Sequence, residues 1–72
     1  MKYQKQVTVY ELHDGFRVEV EEGITGSEIW LAHEDYGIKS HMFGVEGPVD
    51  VESLIADNAE AHIEDFKAEY VD

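Results

Sequence analysis

The stretch Val7-Thr8-Val9-Tyr10-Glu11-Leu12-His13-Asp14-Gly15-Phe16-Arg17-Val18-Glu19-Val20 decides the fold. β-Branched and aromatic residues alternate with polar ones on both sides of His13-Asp14-Gly15, the pattern of two strands joined by a tight turn. Two registers compete. A two-residue Asp14-Gly15 turn sets Glu11 opposite Val18, whereas a three-residue His13-Asp14-Gly15 loop with Gly15 left-handed pairs Leu12 with Phe16 and Tyr10 with Val18. The second builds one continuous apolar face and brings Glu11 near Arg17 on the other, so it is the expected register. It also leaves Val7 and Val9 on that other face beside Glu21 and Glu19, where they are either partly exposed or covered by something else.

Downstream, Glu21 to Ser27 contains two glycines and no period and reads as a loop. A second hairpin follows. Ile29, Leu31 and His33 alternate with Glu28, Trp30 and Ala32, the segment Glu34-Asp35-Tyr36-Gly37 carries turn chemistry, and Ile38 to Val45 resumes a strand. A four-residue loop there brings Ile29 and Leu31 across from Met42 and Ser40 and puts Trp30, Ala32, His41 and Phe43 on the opposite face. Gly44, Gly47 and Pro48 end the sheet region, and Asp50 then offers an N-cap. From there to about Tyr70, Val51, Ile55, Ala59, His62, Ile63, Phe66 and Tyr70 fall on one stripe of a helix, while Asp57, Glu60 and Glu64 project from the far side as an acidic ridge. The expected architecture is α+β: one domain over residues 1–72, an antiparallel β-meander of about four strands in two hairpins, and one C-terminal amphipathic helix on one sheet face, ββββα.

Seventy-two residues leave room for one thin core. With no cysteine there is neither a disulfide nor a thiolate zinc site to staple it, so packing or association with another chain must supply the stability. The net charge of −12, from 17 acids against Lys2, Lys5, Arg17, Lys39 and Lys67, repels phosphate backbones and anionic membranes, and direct nucleic-acid binding is not expected. A hydrophobic content of 43% with 11% aromatic residues is too high for a disordered acidic tail. Residues 1–6 lead into the first strand pattern without a signal-peptide core, and no apolar run approaches the ~20 residues of a membrane span, so a cytoplasmic, soluble protein is expected.

Chemistry-bearing patterns are sparse. His13, His33, His41 and His62 stand among many carboxylates, but Ala61-His62-Ile63-Glu64-Asp65 lacks the second histidine one turn away that a zinc helix motif needs. No metal or cofactor site is assigned, although folding could still gather His33, His41 and nearby glutamates. Ser27, Ser40 and Ser53 lie in no triad-like context, and nothing singles out one carboxylate for acid–base work, so no catalytic residue is named and an enzyme is not expected. Gly23-Ile24-Thr25-Gly26 matches the spacing of the GxxG loop of KH-type domains but joins strands after two glutamates, and turn geometry accounts for its glycines.

The segment Trp30-Leu31-Ala32-His33-Glu34-Asp35-Tyr36-Gly37-Ile38-Lys39, with Met42-Phe43-Gly44 beyond it, resembles small uncharacterised one-domain proteins of Gram-positive anaerobic bacteria. The resemblance covers about a quarter of the chain and implies no site, activity or substrate.

The leading expectation is a non-enzymatic protein-interaction module, either homodimeric or bound to another protein. Both faces of each hairpin carry apolar residues while one helix covers only one face, so Val7 and Val9, or Trp30 and Phe43, are expected to meet a second surface. An alternative is an acidic mimic of nucleic acid, of the anti-CRISPR or anti-restriction type, that blocks a basic protein through Asp57, Glu60 and Glu64. A small metal-binding protein is a further alternative. Whatever the function, self-repulsion among the carboxylates predicts a melting temperature that rises with added salt at neutral pH.

Overall fold

The computed structural model describes residues 6–47 and 49–71. The lead-in through Lys2 and Lys5, and Pro48 as a strand terminator, lie outside the described residues. Four strands, β1 (Gln6–Glu11), β2 (Phe16–Glu22), β3 (Gly26–His33) and β4 (Tyr36–Glu46), are followed by one helix, α1 (Val51–Tyr70). The strands form a single open antiparallel sheet in the order β1-β2-β3-β4, an α+β meander with the helix on one face.

The first hairpin takes the register of the three-residue loop, with Tyr10 opposite Val18 and Glu11 opposite Arg17. Its turn chemistry draws on both alternatives. Asp14 and Gly15 both have positive φ, 58° and 83°, as the paired central residues of a primed turn require, and the Phe16 N–H donates to the His13 carbonyl at 3.1 Å. His13 is the extra residue, so the apolar register survives around a two-residue primed turn.

The second hairpin departs from simple alternation twice. His33 pairs with Tyr36 across a tight Glu34-Asp35 turn, and Gly37 and Ile38 are extra residues before Ala32 meets Lys39. Leu31 faces Ser40 as expected, but a second register shift leaves Met42 without a partner and sets Ile29 opposite Phe43. One extra residue reverses the side on which every later side chain emerges. Phe43 therefore does not share the face of Trp30. It packs against the core on the helix side, 6.5 Å from His62 between ring centroids, with Val45 beside it. Met42, 8% exposed, fills the core at the bulge.

The helix forms where the stripe predicts it. The Asp50 carboxylate accepts from the Ser53 N–H at 3.3 Å and from its hydroxyl at 3.0 Å, satisfying donors that the first turn cannot pair internally. Ile55, Ala59, Ile63 and Phe66 are buried against Phe16, Val18, Val20, Ile29, Leu31 and Met42. Burying each of the larger side chains stabilises the fold by roughly 1.5–3 kcal/mol. Phe66 is the pivot, with its ring edge-on to Phe16 at 5.4 Å and to Tyr36 at 5.8 Å.

Candidate interaction surface

The register assigns Val7, Val9 and Glu11 of β1, Arg17, Glu19 and Glu21 of β2, Glu28, Trp30 and Ala32 of β3, and Lys39 and His41 of β4 to the face that the helix does not cover. Most of that face is closed by its own polar side chains. Glu19 accepts from Arg17 Nε at 2.9 Å and from Lys39 Nζ at 3.4 Å, the Trp30 indole donates to Glu21 at 2.9 Å, and His41 Nε2 lies 2.6 Å from Glu28. Lys39 Nζ sits 5.5 Å above the Trp30 ring, and His41 meets that ring edge-on at 4.9 Å. Burial pushes the Glu19 carboxyl up, but the Arg17 hydrogen bond and the Lys39 charge outweigh it and hold the group below its ordinary value. Ala32, between Arg17 and Lys39 in the register, is only 1% exposed even on this face.

At the β1 end the lattice stops. Val7 and Val9 are 52% and 49% exposed, while Trp30 is partly buried with its N–H satisfied. Of the four side chains expected to seek a second surface, Val7 and Val9 remain uncovered, Trp30 belongs to the lattice and Phe43 to the core. The two valines also lie on the end strand of the sheet, beside which no further strand runs among the described residues. The Leu12 N–H bonds Phe16 across the hairpin, and alternation then turns the Tyr10 and Thr8 backbone groups toward β2 and those of Val7, Val9 and Glu11 away from it. On the helix side of this edge runs a groove of 320 Å³ lined by Tyr10, Glu11, Leu12, Glu52, Ile55 and Ala56.

The acidic ridge is less uniform than helical periodicity implied. Asp57 and Glu64 are exposed on α1, but Glu60 reaches the first hairpin turn, where its carboxylate lies 2.7 Å from His13 Nε2. His13 Nδ1 is 2.8 Å from the Asp14 carboxylate. The hydrogen bond to Glu60, with that to Asp14, raises the imidazole above its ordinary 6.5, and the bond to His13 holds Asp14 below its ordinary 3.8.

The histidines serve the fold at separate places. His33 Nδ1 accepts from the Asp35 N–H at 3.1 Å and Nε2 donates to the Asp14 carbonyl at 2.8 Å, so the ring ties the two hairpin turns together, alongside a Glu34 N–H bond to the Gly15 carbonyl at 3.0 Å. A neighbouring Gly15 was the legible hint: a Cβ there would stand 2.9 Å from His33 Nε2. Among the described residues, no group of three or more His, Asp or Glu side chains is placed to hold a metal ion, no polar or charged residue is buried, and no helix is long and apolar enough to cross a membrane. No protein-family model, curated protein or solved structure matches the chain.

Proposed function

We propose that the chain is a small, non-enzymatic protein-interaction module that binds through the β1 edge, by accepting a further strand beside Gln6–Glu11. The supporting observation is that Val7 and Val9 stay about half exposed on a strand whose outward N–H and C=O groups face no further strand among the described residues, in a sheet whose remaining open face is closed by ion pairs and by Trp30. An extended segment added there gains backbone hydrogen bonds along the edge and side-chain contacts on both sides, with the valines on one and the groove beside Ile55 on the other.

The test is a comparison of two variants in one binding assay. Val9→Pro removes an outward N–H while leaving the β1–β2 hydrogen bonds, as proline is tolerated on that side of an edge strand. Loss of binding in Val9→Pro, with binding kept in Asp57→Lys/Glu64→Lys, supports the edge. The opposite result selects the acidic-mimic alternative, which rests on the exposed Asp57 and Glu64 and the net charge of −12.

A further inference from the structure

The edge reading leaves the partner open, and the composition of β1 narrows it. In a chain in which 31% of residues are charged, Gln6-Val7-Thr8-Val9-Tyr10 carries no charge at all. A basic partner finds nothing there to neutralise. A second copy of the same strand meets it without setting one carboxylate against another. Symmetry restricts how two copies can do so. Antiparallel pairing of identical edges runs about a two-fold axis normal to the sheet, which keeps each side chain on its own face, so residues that oppose each other must share odd or even parity. The axis can then pass through Val7, Thr8 or Val9. Centred on Val7, the ladder sets Val7 on Val7 and leaves each Val9 outside the pairs that the described residues form; centred on Val9, it sets Val7 against Glu11 of the other copy. Centred on Thr8, it covers residues 6–10, pairs Val7 with Val9 twice, Gln6 with Tyr10 twice and Thr8 with Thr8, and contains no charged residue.

We infer that β1 pairs with β1 of a second copy of this chain, antiparallel and centred on Thr8, joining the two four-stranded sheets into one of eight strands with both helices on the same side. This rests on the reading of the β1 edge as the binding surface. The outward groups of Val7 and Val9 supply the new hydrogen bonds, because their alternation is already in phase with the Thr8-centred ladder. The four valines then close into one apolar cluster on the open face. They cover side chains that are each about half exposed in the single chain. Because both copies carry −12, added salt strengthens this association, whereas binding of a basic protein weakens with salt.

Position-specific cross-linking tests the register, and the absence of native cysteine makes it clean. Thr8 is exposed, and the Thr8–Thr8 pair, being non-hydrogen-bonded in the new ladder, brings the two Cα atoms to about 4.5 Å, within disulfide reach. Under mild oxidation Thr8→Cys is expected to form a covalent dimer about tenfold faster than Val7→Cys or Val9→Cys. Sedimentation of the unmodified chain at up to about 100 μM, a range suited to a small edge contact, should show a dimer that tightens with salt and is lost in Val9→Pro. Faster cross-linking at position 7 or 9 overturns the Thr8 register. A monomer at every concentration whose binding to other proteins still depends on Val9 overturns self-pairing and leaves the edge reading standing. A monomer whose binding is indifferent to Val9 overturns both.

Discussion

The two edges of the sheet are built in opposite ways. β4 runs for 11 residues, is interrupted by two register shifts, carries Lys39 and His41, and is fastened to the helix through Tyr36 on Phe66 and Phe43 near His62. β1 runs for six residues in unbroken register, presents β-branched side chains on both faces, and turns its outward backbone groups toward no other strand among the described residues. Bulges and charges are the usual means by which a sheet avoids pairing with its neighbours. β4 has both, whereas β1 has unbroken register and a single charge, Glu11, at its end, and this difference supports the proposed binding at β1 without any appeal to total charge.

The largest expected effect comes from dismantling what holds the protected edge. Phe66→Ala removes a fully buried ring that supports Phe16 and Tyr36 together, and urea unfolding should show a loss of about 3–5 kcal/mol. In a domain of this size that approaches the whole stability. The bracing between the two hairpins comes next. Gly15→Ala forces a Cβ into a position with φ of 83° and against His33 Nε2, so a cost of about 1–2 kcal/mol is expected, with β1 and β4 both loosening in amide exchange because the two turns share that contact. A cost below a few tenths of a kcal/mol would show the turns to be independent.

Salt acts on the whole charge distribution at once. The pairs of Glu19 with Arg17 and Lys39 weaken as salt is added, but the repulsion carried by a charge of −12 weakens more, so the melting temperature should rise by several degrees between low and moderate ionic strength. A substitution at the bare edge should leave the single chain nearly untouched. Val9→Lys places a charge beside Glu19 on an exposed strand, and unfolding measured at high dilution should move by less than about 0.5 kcal/mol, in contrast to its effect on binding. The smallest effect is at His13, where the pairing is exposed. Its folded-state pKa is raised, so the protonated ring adds stability below the ordinary 6.5, provided Glu60 and Asp14 are ionised, and that contribution disappears as pH rises through the raised value. His13→Asn should therefore lower the melting temperature at about pH 5.5 and match the parent at about pH 8.5. An equal deficit at both pH values would mean that His13 acts by packing alone.

Much of the fold was legible because it rests on local periodicity. Alternation from Val7 to Val20 defines the first hairpin and its register, since any slip by one residue exposes Val18 and Val20 to water. Spacing from Val51 to Phe66 defines the helix and its buried stripe, and Asp50 marks its start. The site was legible in half. Val7 and Val9 stand out as apolar residues on the acidic face, but Trp30 and Phe43 had no local mark separating an interface residue from a packed one, and their fates turned on Glu21 and on one extra residue at Met42.

By itself, then, the chain determined its element order, the apolar face of each element and the imbalance between one helix and a two-sided sheet, because period and turn chemistry act within a few residues of one another. Only the tertiary structure decided the bulges of β4, the closure of the open face by Arg17, Lys39, Glu19 and Trp30, and the capture of Glu60 by His13. Those depend on which side chains meet across strands and across the helix–sheet contact. The physical reason is that a bulge or an ion pair is chosen by the neighbour it must fit, and the neighbour exists only once the sheet has formed.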